Sequence, residues 1–337
     1  MTIKRRYPSS TEVARLAGVS QSAVSRAYST GKSVSEETRR KVFEAAATLG
    51  YSPSFIPRIL LKHRSNLVAM VIGGTGNPFY ALAIETFTKA LQAIGHQVLL
   101  VQADTDHSLD SVVPMLASYR VDAIVSALPV LSNEAALALG RIKIPTISFN
   151  TAITHPWISS ICTDNVGGAA AVADLFAARG AKTFGFVAGS PDSYASAERL
   201  RGFKAGLRRH GFARIEVTEG DFQYQGGHDA VLRLAANGPL PEAIFCANDL
   251  MAIGAIDALR QKLGRRIPDE ILVAGFDDVP EASWAAYDLT SVVQDGQAMV
   301  NAAMSILNEM MSETSPTEGI LRIIPGPLIE RSTTRRA

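Results

Sequence analysis

The chain has 337 residues, 47% of them hydrophobic and 19% charged, with a formal net charge of +1. That composition belongs to a globular protein and excludes a disordered one. No apolar run reaches the length of a membrane span, and the charged Met1–Tyr7 stretch leads into no apolar core of a secretory signal, so a cytoplasmic protein is expected.

The near-neutral total conceals a division. Residues 1–65 hold twelve Lys/Arg against four Asp/Glu, a net charge of +8, which leaves −7 for the remainder. A basic end on an acidic body is the electrostatic footprint of a protein that meets a polyanion at one end only.

Within that end, Ser9–Ser29 predicts helix, tight turn, helix. Val13, Leu16 and Ala17 recur at helical spacing, and Val24 and Ala27 do so after the break. Gly18 suits the turn and Ser20 is placed to cap the second helix. A short second helix carrying small polar residues and Arg26 matches what a helix-turn-helix sets into the major groove of DNA; the same angle also occurs in plain scaffolds. A third helix is expected from Ser35-Glu36-Glu37, a cap with acids at the positive end of the dipole, through Val42, Ala45, Ala46 and Leu49 to Gly50. Tyr51–Leu61, with Pro53 and Pro57, then predicts a linker with one short helix at most.

From Leu67 the pattern alternates. Buried-strand runs are expected at 67–72, 97–102, 123–127 and 146–149, and again at 183–187, 244–246 and 271–274. Amphipathic segments at 79–94, 167–179, 197–210 and 250–263 separate them. Repeated βα units imply parallel sheets covered by helices on both faces, and two sets imply two lobes with a ligand cleft at the strands' carboxyl ends. Cys162 and Cys246 are expected to fill core space rather than to pair.

Enzyme chemistry finds little support. Gly74-Thr75-Gly76 after the first strand, with Asp104 ending the next, is a broken dinucleotide fingerprint, because Pro78 intrudes and Phe79 stands at the third glycine position. No Walker loop and no Gly-x-Ser-x-Gly elbow is present. His63, His96, His107, His155, His210 and His228 are scattered without metal-ligand spacing. No cofactor and no metal is expected. The alternatives are an NAD-dependent enzyme, for which the basic head has no purpose, and a sugar receptor without DNA binding, which does not need the helix-turn-helix.

The whole chain resembles the LacI/GalR family of bacterial transcription regulators. The resemblance is carried by TEVARLAGVSQSAVSRAYS (Thr11–Ser29), VSEETRRKV (Val34–Val42), LGYSPS (Leu49–Ser54), NPFY (Asn77–Tyr80) and TDNVGGAA (Thr163–Ala170). ERLRGF (Glu198–Phe203), FCANDLMAIG (Phe245–Gly254), VAGFDD (Val273–Asp278) and LIERST (Leu328–Thr333) continue it in family order. It implies an all-α helix-turn-helix head at 1–52, a hinge linker with a minor-groove helix at 53–65, and a periplasmic-binding-protein-like body at 66–337. The body's lobes are expected at about 66–157 with 293–323, and about 158–292 with 324–337.

By position, the resemblance gives Gln21, Ser22 and Arg26 the base edges, Thr11, Ser20 and Ser25 the phosphates, and Leu60 a minor-groove wedge. Leu60 has a plainer role as a linker residue packed on a lobe. Pro57 replaces the family's usual alanine and Phe55 a smaller residue, so the hinge helix keeps its register only if it starts near Ser54.

The resemblance further nominates Phe79, Tyr80, Asn150, Ser193, Arg199, Phe222, Asn248, Asp277 and Gln294 as effector-binding. Amide, carboxylate and guanidinium groups with two aromatic faces suit a sugar, polyol or sugar acid. Plainer roles exist: Asp277 as a loop cap, Arg199 in a lobe-to-lobe ion pair, and Asn248-Asp249 as an N-cap. The implied protein is a ligand-controlled repressor, a homodimer with a tetramer not excluded, on a pseudo-palindromic double-stranded operator and with no membrane partner.

Overall fold

The computed structural model describes residues 7–29, 34–53, 64–73, 76–103, 112–128, 133–153, 155–312 and 318–335. The chain divides into two compact units, residues 1–65 and 66–337. Leu60, Pro57 and Phe55 lie outside the described residues, as do Gly74, Thr75 and Asp104.

The first unit holds helices α1 (Ser10–Ala17), α2 (Gln21–Ala27) and α3 (Glu36–Leu49). Their shared core is Val13, Ala14, Val24, Ala27, Val42, Ala45 and Ala46. Leu16 does not belong to it. The side chain expected on the buried face is 54% exposed, and the small Ala14 takes an inner position beside Val13.

The second unit contains two six-stranded sheets. The first comprises β1 (Leu67–Ile72), β2 (Gln97–Gln102), β3 (Ala123–Ala127), β4 (Thr146–Phe149), β5 (Ile158–Thr163) and β11 (Leu321–Ile324), in the order β11-β5-β4-β3-β1-β2 and parallel throughout. The second comprises β6 (Phe184–Ala188), β7 (Glu216–Glu219), β8 (Ala243–Cys246), β9 (Leu272–Asp277), β10 (Thr290–Val293) and β12 (Leu328–Ile329), in the order β12-β10-β9-β8-β6-β7. Only the short β12 runs antiparallel. Helix α4 (Pro78–Ala93) belongs to the first lobe with α5 (Val113–Tyr119), α6 (Asn133–Ile142) and α11 (Gly296–Ser312). Helices α7 (Asn165–Ala178), α8 (Tyr194–Arg209), α9 (Tyr224–Asn237) and α10 (Asp249–Asp257) belong to the second.

One boundary moves. The segment 158–163, placed by the sequence in the second lobe, is a fully buried strand of the first sheet between β4 and β11. Its serine pair interrupts the apolar run expected of a buried strand. Both hydroxyls are taken by backbone groups: Ser159 Oγ accepts the Ile320 N–H at 3.0 Å, and Ser160 Oγ accepts that of Ile153 at 3.0 Å. The chain therefore crosses between lobes after Thr163, after Val293 and after Ile324. Cys162 and Cys246 are free and buried in these sheets, where loss of hydration pushes the Cys162 thiol up to about 12.

Two glycines set the approach of α8 to α7. A Cβ on Gly202 would stand 2.2 Å from the Val166 carbonyl oxygen, and one on Gly206 2.6 Å from the Ala173 methyl. Since the obstacle at Gly202 is backbone, Gly202→Ala is expected to cost about 1–3 kcal/mol by forcing the helices apart. Urea unfolding measures it, and a neutral substitution would contradict this packing.

Candidate functional site

The head builds its reader from caps and a turn. Ser9 and Glu12 form a reciprocal capping box: Ser9 N–H donates to Glu12 Oε2 at 2.7 Å, and Glu12 N–H to Ser9 Oγ at 3.3 Å. Gly18 ends α1 at φ 66°, a left-handed value that glycine adopts without strain, and Ser20 Oγ then accepts the Ala23 N–H at 3.2 Å to start α2. Gln21, Ser22, Ser25 and Arg26 are exposed on α2, and Thr11 and Ser20 are exposed beside it. Both long side chains among them, Gln21 and Arg26, are engaged within the head. Gln21 Nε2 donates to Ser10 Oγ at 2.9 Å, while Arg26 folds back, its Nη2 on Ser22 Oγ at 3.0 Å and its Nε on the Ser22 carbonyl at 3.2 Å. An arginine in that posture must exchange these bonds for any base edge it meets.

In the second unit the polar candidates gather at the strands' carboxyl ends. Arg199, inside α8, and Asp277, which ends β9, face each other at 3.5 Å, and both are almost fully buried. The guanidinium lies 3.7 Å over the Phe276 ring, donates through Nε to Asn165 Oδ1 at 2.8 Å, and donates through Nη1 to the Ala247 carbonyl. Asp277 Oδ1 accepts from Gln294 Nε2 at 2.5 Å and its Oδ2 from Asn77 Nδ2 at 2.8 Å. Gln294 in turn receives the Thr163 hydroxyl on Oε1 at 2.9 Å.

The charge pattern follows from burial. Loss of hydration pushes the Asp277 carboxyl up, against the pull of Arg199 and the two amides, and lowers Arg199. Asp249, the first residue of α10, is pushed well up by burial and by the neighbouring Asp277. It anchors the loop after β9, with Oδ2 accepting the Val279 N–H at 2.9 Å and Oδ1 the Ser291 hydroxyl at 2.6 Å.

The remaining candidates divide. Tyr80 is half-buried beside the Asn150 amide, and its hydroxyl is raised by desolvation and then by Asp277. Phe79 stacks on Phe149 at 6.0 Å and lines a cavity of about 160 Å³ that also borders Asp277 and Gln294. Phe222, at φ 57°, lays its ring where a Cβ on Gly189 would stand, within 2.1 Å. Asn248 caps α10 and holds the Phe222 carbonyl at 3.0 Å. Ser193 caps α8 through the Ser196 N–H at 3.3 Å. The plain roles of Asn248 and Ser193 are thus occupied, whereas Asp277 is no loop cap. Arg199 and Asp277 both belong to the second lobe, so their pair is not lobe-to-lobe. One link between lobes is made by Asn77, which caps α4 with Oδ1 and reaches Asp277 with Nδ2.

Asn77, Thr163, Asn165 and Asp249 were absent from the sequence-derived set. Each lies inside a motif quoted above, and Asn77 before Pro78 is a recognisable cap. Their second bonds are made across the fold, where no sequence spacing records them.

A basic helix-turn-helix head and a two-lobed α/β body with a polar interlobe cluster define a ligand-responsive DNA-binding protein. Residues 11–54 match the model of bacterial regulatory proteins of the lacI family, and residues 173–334 that of a periplasmic binding protein-like domain. The HTH-type transcriptional regulator CelR of Thermobifida fusca is 30% identical over 340 residues, 98% of this chain and 99% of that protein. A solved CelR–cellobiose complex is 28% identical with a TM-score of 0.73, covering 97% of this chain and 99% of that one. The lac repressor dimer bound to operator and the anti-inducer ONPF shares the fold, with a TM-score of 0.87 at 24% identity, covering 98% and 100%. This chain belongs to the LacI family of bacterial regulatory proteins and is a transcriptional regulator. Its relatives are regulators rather than enzymes, and among the described residues no group of His, Cys, Asp and Glu could hold a metal and no helix is long and apolar enough to cross a membrane.

The interlobe contact is testable. Asn77→Asp retains a capping side chain but turns a donor into a second carboxylate facing Asp277. Repulsion raises the pair's folded pKa above the unfolded value of about 4, so stability is present at low pH and lost as pH rises through the raised value. The melting temperature of this variant is expected to fall below wild type at neutral pH and to recover on acidification. A deficit independent of pH would contradict the contact.

Proposed function

We propose that this protein is a ligand-controlled repressor, dimeric on its DNA, with two heads reading a pseudo-palindromic operator. Gln21, Ser22 and Arg26 contact base edges, Thr11, Ser20 and Ser25 contact phosphates, and Leu60 enters the minor groove. Support for the head comes from its net charge of +8 and from the exposure of the α2 side chains. Support for a dimer comes from apolar side chains left exposed around the free edge of the first sheet. Leu100 on edge strand β2, Leu82 on α4, and Met115 and Tyr119 on α5 are 37–53% exposed.

The effector is a sugar, polyol or sugar acid held between the lobes by Phe79, Tyr80, Asn150, Ser193, Arg199, Phe222, Asn248, Asp277 and Gln294. The observation that carries this is the Asn77–Asp277–Arg199 cluster, in which one carboxylate serves both lobes. A ligand hydroxyl that takes a place on Asp277 alters the contact between lobes, and a ligand that favours one lobe arrangement shifts the population toward it. The CelR–cellobiose complex is a precedent for a carbohydrate ligand of a protein similar to this one.

The head assignment is checked with operator fragments selected from random DNA. Affinity is expected to fall steeply with salt as Lys and Arg displace counterions. Arg26→Ala is expected to lose about 1–3 kcal/mol of discrimination at one base pair of each half-site. A flat salt response or an unchanged sequence preference would overturn the assignment.

A further inference from the structure

Asn165 opens α7 and is 3% exposed. Its Oδ1 accepts the Arg199 Nε–H at 2.8 Å. That bond fixes the amide's orientation, because the flipped amide would set an NH₂ donor against the guanidinium N–H. The Nδ2 group is therefore committed to the other side, where it is buried with no hydrogen-bond partner among the described residues. In the first lobe Asn150 is its counterpart. It is 4% exposed at φ 67°, its amide lies beside the Tyr80 hydroxyl, and its Oδ1 is likewise buried without a partner among the described residues. Tyr80 in turn lies in the electrostatic field of Asp277 and Arg199. One unmet donor in the second lobe is thus joined to the Arg199–Asp277 pair through Arg199, and one unmet acceptor in the first through Tyr80. Leaving such groups unpaired is costly, and a ligand that pairs both recovers that cost.

Charge narrows the ligand further. Arg199 is the cation of this buried cluster, and it already faces Asp277, with Asp249 buried behind. Arg331 is occupied by Asp278 at 2.7 Å and by the Leu289 carbonyl at 2.6 Å. Among the described residues of this cluster no positive charge is left over to compensate a ligand carboxylate, so bringing one in would set a third acid against one guanidinium.

We infer that Asn165 is a ligand-contacting residue which, with Asn150 across the cleft, selects an uncharged effector presenting both acceptor and donor hydroxyls, and that a sugar or polyol is bound in preference to the corresponding acid. The inference rests on the effector reading above and specifies its chemistry.

The test uses the full-length protein, thermal shift and calorimetry, with D-glucose, D-ribose and cellobiose each set against its aldonic acid. At least one neutral sugar is expected to bind at least about tenfold tighter than its acid. Two variants then isolate the amide. Asn165→Asp keeps an acceptor for Arg199 and removes the donor, and Asn165→Ala removes both. Each is expected to lose about tenfold or more in affinity for that sugar, the scale of one unmet buried hydrogen bond. An acid binding as tightly as its sugar, or both variants binding like wild type, would overturn the inference while leaving the carbohydrate reading intact. Silence across all six compounds would overturn the carbohydrate reading itself, and this inference with it.

Discussion

The body is organised around one buried guanidinium. A fully desolvated arginine is tolerated only where its charge is balanced and its N–H groups are received, and Arg199 meets both conditions through Asp277, Asn165, the Ala247 carbonyl and the Phe276 face. Those partners come from different elements, so the charge ties together α7, α8, β9 and the end of β8. The glycines of α8 make this possible. Gly202 lies against the backbone of Val166, the residue after Asn165, so the close helix approach is also what brings Asn165 to the arginine. Packing and site chemistry are one constraint there.

The same carboxylate then carries the interaction outward. Asp277 holds Arg199 within its own lobe and Asn77 from the other, while Gln294, at a crossover between lobes, joins them and is itself held by Thr163 at another crossover. A ligand entering this cluster acts on groups that already bridge the lobes, which is what a population shift requires. In the head the comparable economy lies in Arg26, whose bonds to Ser22 keep the side chain ordered while its surroundings remain exposed.

Local signals were legible in the sequence. The caps at Ser20 and Ser35, the turn glycine Gly18, and the buried runs that became β1 to β4 all follow from spacing and residue type. What failed were places where side chains answer to distant partners. Ile158–Thr163 is not among the expected strands and is expected in the second lobe; its polar serines bond backbone at Ile320 and Ile153. Leu16 fitted the helical period but faces outward, because the period does not say which neighbour claims the inner position. Asn77 and Asn165 were visible as cap and helix-start residues, and only the fold shows that their second amide atoms meet Asp277 or stand unpaired.

The central claim is that Arg199 and Asp277 are mutually dependent in a desolvated cluster. A double-mutant cycle in urea unfolding with Arg199→Met, Asp277→Asn and the combined variant tests it most directly. Each single variant is expected to lose about 3–5 kcal/mol by leaving one buried charge uncompensated, and the combined variant to lose less than their sum by more than about 1 kcal/mol. Losses that add within about 0.5 kcal/mol would show two independent groups and contradict the account.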